Sequence, residues 1–173
     1  MSRARTGPFL LGCCLLATLG CQNPPGGAGP AGQPRDDLRD DIVSIVQFWQ
    51  QFPWIRHDER ILGFFVTIYF VSAETEKGVF VREPILIWLY DTALDERGRR
   101  RRGELLQTWT FDRRQADGFR VRKRAIGGDH YGFIVRWDES LDLAGKQVEI
   151  QFGYQRGSDQ RLVLGTPRRF QVR

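Results

Sequence analysis

The chain has 173 residues, with 26 basic and 21 acidic side chains and a formal net charge of +5. Its three cysteines, Cys13, Cys14 and Cys21, all fall near the start, so the remainder holds no disulfide, no thiolate nucleophile and no cysteine-ligated zinc. The basic residues are nearly all arginine, Lys77, Lys123 and Lys146 being the lysines; that skew suits phosphate partners but follows equally from GC-rich codon usage.

The first five residues, "MSRAR", carry Arg3 and Arg5 and no acid, and the apolar "GPFLLGCCLLATLG" follows. A basic start, a short apolar stretch and a small-residue exit make a secretory signal peptide over residues 1–20. The stretch is too short for a spanning helix, which needs about 20 apolar residues. Its end, "TLGC", resembles the lipobox of bacterial lipoproteins. The resemblance implies cleavage between Gly20 and Cys21, a diacylglycerol on the Cys21 thiol and an acylated new amino terminus. "LLGC" at Cys13 leaves too little apolar length ahead of it. Each buried methylene adds about 0.8 kcal/mol of membrane affinity, so two or three chains hold firmly where one does not. Gln22 in place of an aspartate points, by the sorting rule of such lipoproteins, to the outer membrane.

Residues 21–36 continue with "QNPPGGAGPAGQP". A Gly/Pro tract without charge cannot bury enough apolar surface to offset its ordering entropy, and it reads as a flexible tether. Residues 37–173 form one domain, long enough for a single hydrophobic core.

The domain opens on "RDDLRDDIVSIVQFWQQFPW". Leu38, Ile42, Ile45 and Trp49 recur at helical spacing, with Asp36 or Asp37 available as a cap. The β-branched and aromatic run "IVSIVQFW", apolar on both faces, favours a first strand over residues 42–49 instead. Period-two segments follow: "ILGFFVTIYFVSA", "PILIWLY", "ELLQTWTF", "GFRVRKR", "YGFIVRW", "QVEIQFGY", "RLVLG" and "RFQVR". In "GFRVRKR" the alternation puts Phe119 and Val121 on one face and the arginines on the other. Between the segments lie "ETEKG", "DERGRRRRG", "DRRQADG", "IGGD" and "QRGSDQ", with hairpin or sheet-crossing chemistry. About seven or eight such strands predict an all-β fold, an immunoglobulin-like or transthyretin-like antiparallel β-sandwich.

Candidate chemistry is sparse. No G-x-S-x-G elbow accompanies the two histidines, His57 and His130, which disfavours a hydrolase. His57 sits among acids in a polar loop, and His130 reads as a turn residue. The clusters Asp91, Asp95, Glu96 and Asp138, Glu139, Asp142 lack EF-hand spacing. No metal and no cofactor is expected. The string "RGRRRRG" places Arg97, Arg99, Arg100, Arg101 and Arg102 on one loop, a local field for phosphate or carboxylate groups. Of five tryptophans, Trp49, Trp88, Trp109 and Trp137 lie in apolar segments and are assigned to the core, leaving Trp54 as the surface aromatic for sugar stacking.

The whole resembles bacterial lipoproteins that carry one β-sandwich behind a lipobox and a Gly/Pro linker. That resemblance implies an exported, membrane-anchored, non-enzymatic binding or structural domain of the cell envelope. Its partner would be an envelope protein or a polysaccharide, and not nucleic acid. A carbohydrate- or anionic-polymer-binding module is the alternative.

Overall fold

The computed structural model describes residues 38–173, and of residues 122–124 the backbone only. The leader, Gly20, Cys21 and the tether lie outside the described residues. No helix among those described is long and apolar enough to cross a membrane.

The strand reading of residues 42–49 holds: β1 spans Ile42–Phe48. Ile42 and Ile45 both face the core although a regular strand would send residues three apart to opposite sides. A bulge resolves the conflict. Ile42 pairs with Ser72 and Ser44 with Val71, so Val43 is a surplus residue opposite nothing. β2 (Trp54–His57) and β3 (Arg60–Ser72) make a hairpin, with Asp58 at φ 53° in its turn. Then follow β4 (Gly78–Val79), β5 (Ile85–Leu94), β6 (Arg100–Phe111), helix α1 (Arg113–Asp117), β7 (Arg120–Ala125) and β8 (Gly128–Arg136). β9 (Gln147–Gln155), β10 (Leu162–Leu164) and β11 (Arg168–Gln171) complete the described chain.

The first sheet runs β1-β3-β4-β8-β7 with β2 also on β3; the second runs β10-β9-β5-β6 with β11 also on β9. They pack as an all-β sandwich. Its core sets Phe64, Val66, Ile68 and Phe70 of β3 and Tyr131, Phe133 and Val135 of β8 against the inward rows of β5 and β9. Aromatic rings bridge the layers, Phe133 on Phe152 at 6.1 Å and Phe70 on Tyr154 at 5.8 Å.

The two buried phenols also fix the incoming chain. The Tyr131 hydroxyl accepts the Val81 N–H at 3.0 Å. The Tyr154 hydroxyl lies 3.0 Å from Asp40 Oδ1 and accepts the Glu83 N–H at 3.4 Å. Burial pushes both phenols above their ordinary pKa, so they stay protonated, and Tyr154 donates to Asp40. Arg39 bridges Val81 in parallel. Residues 38–41 thus join at one end, the proximal end. At the distal end β5 and β6 continue past β9, whose pairing with β5 stops at Asp91–Val148, while the β5–β6 pairing runs on to Leu94–Arg100.

Three expectations are corrected. Eleven strands are described where about seven or eight were expected; two of the additional ones, β2 and β4, are short segments without a clean alternation. The connection "DRRQADG" contains α1, set by a capping box between Asp112 and Gln115. At the start of β7 the expected grouping of Phe119 with Val121 breaks. Phe119 packs on Phe133 at the core and Arg120 pairs with inward Tyr131, carrying its guanidinium 4.5 Å over Phe80, whereas Val121 pairs with His130 on the outer side.

Candidate ligand-binding face

Period two sends Ile85, Ile87 and Leu89 of β5 inward, and so sends Trp88 and Tyr90 outward. Trp88, expected in the core, is therefore a half-buried side chain of the outer face. Its indole lies across β9 at Gly153, where a Cβ would come within 2.5 Å of Cη2 and Cζ3. The absence of a side chain there makes room for the ring over β9, and Leu162 of β10 reaches to within 3.5 Å of the same position.

On the same face Glu149 is 1% exposed, the one buried carboxylate among the described residues. Arg102 Nε donates to its Oε1 and Arg169 Nε to its Oε2, each at 2.7 Å. Arg102 Nη2 donates to Gln151 Oε1 at 2.6 Å, and the guanidinium stands 4.3 Å over the Tyr90 ring. Burial acts to raise the Glu149 pKa, but hydrogen bonds from Arg169 and Arg102 and their charges outweigh it, so the carboxyl sits below its ordinary value. The result is an array of indole, phenol and two half-exposed guanidiniums on one face of the second sheet.

The arginine string does not form the single loop expected. Arg100, Arg101 and Arg102 belong to β6, and Arg97 and Arg99 lie in the turn, where Gly98 takes φ 70°. Asp95 organises that turn. Its carboxylate accepts the N–H groups of Arg97 and Arg99 at 3.0 and 2.8 Å, and Nε of Arg99 and Arg101 at 3.2 and 2.9 Å. The Arg99 N–H leads the effects that hold Asp95 below its ordinary pKa. Arg97 and Arg100 have no side-chain partner among the described residues, and the five charges divide into paired and unpaired sets.

Trp54 is not a surface aromatic. It pairs with inward Phe64, is 9% exposed, and packs on Trp137 at 6.2 Å and Phe170 at 5.7 Å. The Pro53 carbonyl, bonded to the Phe65 N–H at 2.8 Å, sets the chain so that Trp54 turns in. Trp137 is buried as expected; Trp49 and Trp109 pack at the core margin, their Nε1 donating to Gln47 and to the Arg136 carbonyl.

His57 forms an exposed pair with Asp58 at 3.2 Å. His130 is a strand residue of β8 stacked on Tyr69 at 4.9 Å, not a turn residue. Asp138 and Asp142 accept N–H groups of their own turns, from Ser140 and Ala144. No group of three or more potential metal ligands occurs among the described residues.

The Trp88–Gly153 contact was missed in the sequence because "PILIWLY" is apolar at every position and hides which residues face out. The Glu149 pairing was missed because it spans 47 and 20 residues. No protein-family model matches the chain, and no curated protein or solved structure matches it at a significant level.

Proposed function

We propose that the chain is a lipid-anchored binding domain of a bacterial envelope, moored through Cys21 and acting by contact rather than by catalysis, with the outward face of the second sheet as its contact surface. The observation that carries this reading is the indole of Trp88 lying over Gly153 beside Tyr90 and the Arg102–Glu149–Arg169 array. A flat indole stacks on sugar rings, and neighbouring guanidiniums add hydrogen bonds to hydroxyl or carboxylate groups. The ligand class this favours is an envelope polysaccharide.

Two measurements test it. Mass spectrometry of the protein from its native membrane should find a chain starting at a lipidated Cys21; an unlipidated chain, or another start, overturns the mooring. Soluble cell-wall polysaccharide should shift the tryptophan emission of the full chain, and Trp88→Ala should abolish that response. A response that survives in Trp88→Ala overturns the assignment of the face.

A second reading, an anionic polymer held at the hairpin tip, is favoured by Arg97 and Arg100, whose guanidiniums have no side-chain partner among the described residues. Replacing Arg97 and Arg100 with serine should then remove salt-sensitive retention on anionic polysaccharide, whereas Trp88→Ala should not.

A further inference from the structure

A second surface, which meets the Trp88 face at Leu162 but uses neither Trp88 nor the arginine hairpin, lies where the edges of the two sheets meet. β1 pairs only with β3 and β10 only with β9, and no hydrogen bond joins β1 to β10 among the described residues. A cleft of about 340 Å³ lies between them, lined by Ile42, Val43, Arg161, Leu162 and Leu164 among others. Farther along β1 is a second of about 280 Å³, lined by Val46, Gln47, Thr166 and Arg168 among others.

Four large apolar side chains are exposed along this seam: Val43 at 53%, Val46 at 40%, Leu162 at 46% and Leu164 at 48%. Gln47 fixes the seam at one point. Its amide donates to the Thr166 carbonyl at 2.9 Å and fills the space where a Cβ on residue 165 would stand. Arg161 stands beside Leu162 and Arg168 beyond Thr166, and neither guanidinium has a side-chain partner among the described residues.

Unpaired strand edges with apolar neighbours are templates for added strands unless something blocks them. Here the flanking charges select the guest. A second copy of this chain would bring further arginines to the seam, and a polysaccharide offers no alternating apolar groups. An extended peptide offers backbone partners for the edges, side chains at period two for the cleft, and carboxylates for the guanidiniums. We propose that the β1–β10 seam binds an extended segment of a partner protein, apolar at alternate positions and acidic at both ends.

The test uses the full chain and a labelled synthetic peptide of about nine residues, a typical strand length, alternating valine and threonine between paired glutamates. A counterpart ends in lysines. Fluorescence anisotropy should show saturable binding of the glutamate-ended peptide, weakened about tenfold or more by lysine ends or by Arg161→Glu with Arg168→Glu. The charge-reversed protein should in turn prefer the lysine-ended peptide. Val43→Asp should weaken binding with unchanged circular dichroism, and amide shifts should concentrate at Val43–Gln47 and Leu162–Leu164. Trp88→Ala should bind normally, so failure here and failure of the polysaccharide reading are distinguishable. Absence of saturable binding up to about 1 mM, equal affinity for both peptides, or loss of binding in Trp88→Ala overturns the proposal.

Discussion

Asp40 and Asp41 at the proximal end and Asp95 at the distal end are all carboxylates held below their ordinary pKa, in very different company. Asp40 accepts the N–H groups of Gly157 and Ser158 at 2.8 and 2.7 Å, and Asp41 accepts the Ser72 hydroxyl at 2.6 Å and the Glu74 N–H at 3.0 Å. These bonds span 31 to 118 residues and fasten the incoming chain to turns of both sheets. The bonds of Asp95 span 2 to 6 residues and shape one turn of a ribbon that has already left the sheet. What a carboxylate contributes depends on what its partners are attached to. At one end the loss of a proton acceptor detaches a segment; at the other it rearranges a tip.

The largest expected effect follows from removing both proximal acceptors. Asp40→Ala with Asp41→Ala should cost about 3 kcal/mol in urea titration, because five hydrogen bonds are lost, each at well under the roughly 1.5–3 kcal/mol of a charge-assisted bond since the carboxylates remain in contact with water. Acid gives the reversible counterpart. For Asp40 and Asp41 burial alone would raise the pKa, but their hydrogen bonds outweigh it and leave both lowered. A lowered folded pKa contributes stability that is present above the ordinary carboxylate range and lost as pH falls through the folded value. Protection against hydrogen exchange, relative to the intrinsic rate at each pH, should therefore fall at the Arg39 and Arg82 amides, which bond across this junction, as the solution is acidified. Unchanged protection there would break the comparison.

Glu149→Gln is the intermediate case, at about 2 kcal/mol, below the 3–5 kcal/mol of a fully buried pair because both guanidiniums keep contact with water. Thermal unfolding measures it directly. Asp95→Ala should leave the unfolding midpoint almost unchanged, since its ion pairs are exposed. A loss as large as that at the proximal end would show that the hairpin is integral to the sheet. Smallest of all, 1 M salt should leave the proximal bonds unaffected and loosen only the contacts around Asp95, read from the exchange of the Arg97 and Arg99 amides.

How much of this was legible differs by element. "QVEIQFGY" marks β9 nearly to its ends, because strict polar/apolar alternation has one strand solution, although both faces of β9 turn out buried. "ELLQTWTF" found β6 but stopped four residues short, since arginines at Arg100–Arg102 look like loop until Leu94, Ala93 and Thr92 are known to pair with them. α1 was hidden because five residues are too few to show a helical period, although Asp112 and Gln115 have the spacing of a capping box. Trp54 was misplaced for a local reason. The neighbouring proline and glutamines suggested surface, whereas the strand partner Phe64, not the neighbours, decides its direction. The arginine string announced itself, but its division between Asp95, Glu149 and solvent is tertiary information.

The surplus residue in β1 has an evolutionary corollary. Deleting Val43 would restore an unbroken two-residue repeat, keep Ile42 and Ile45 on the inner side and leave the interior undisturbed, while erasing one wall of the seam. A single codon lost or gained at that point can therefore remove or restore that wall without asking the rest of the protein to adapt.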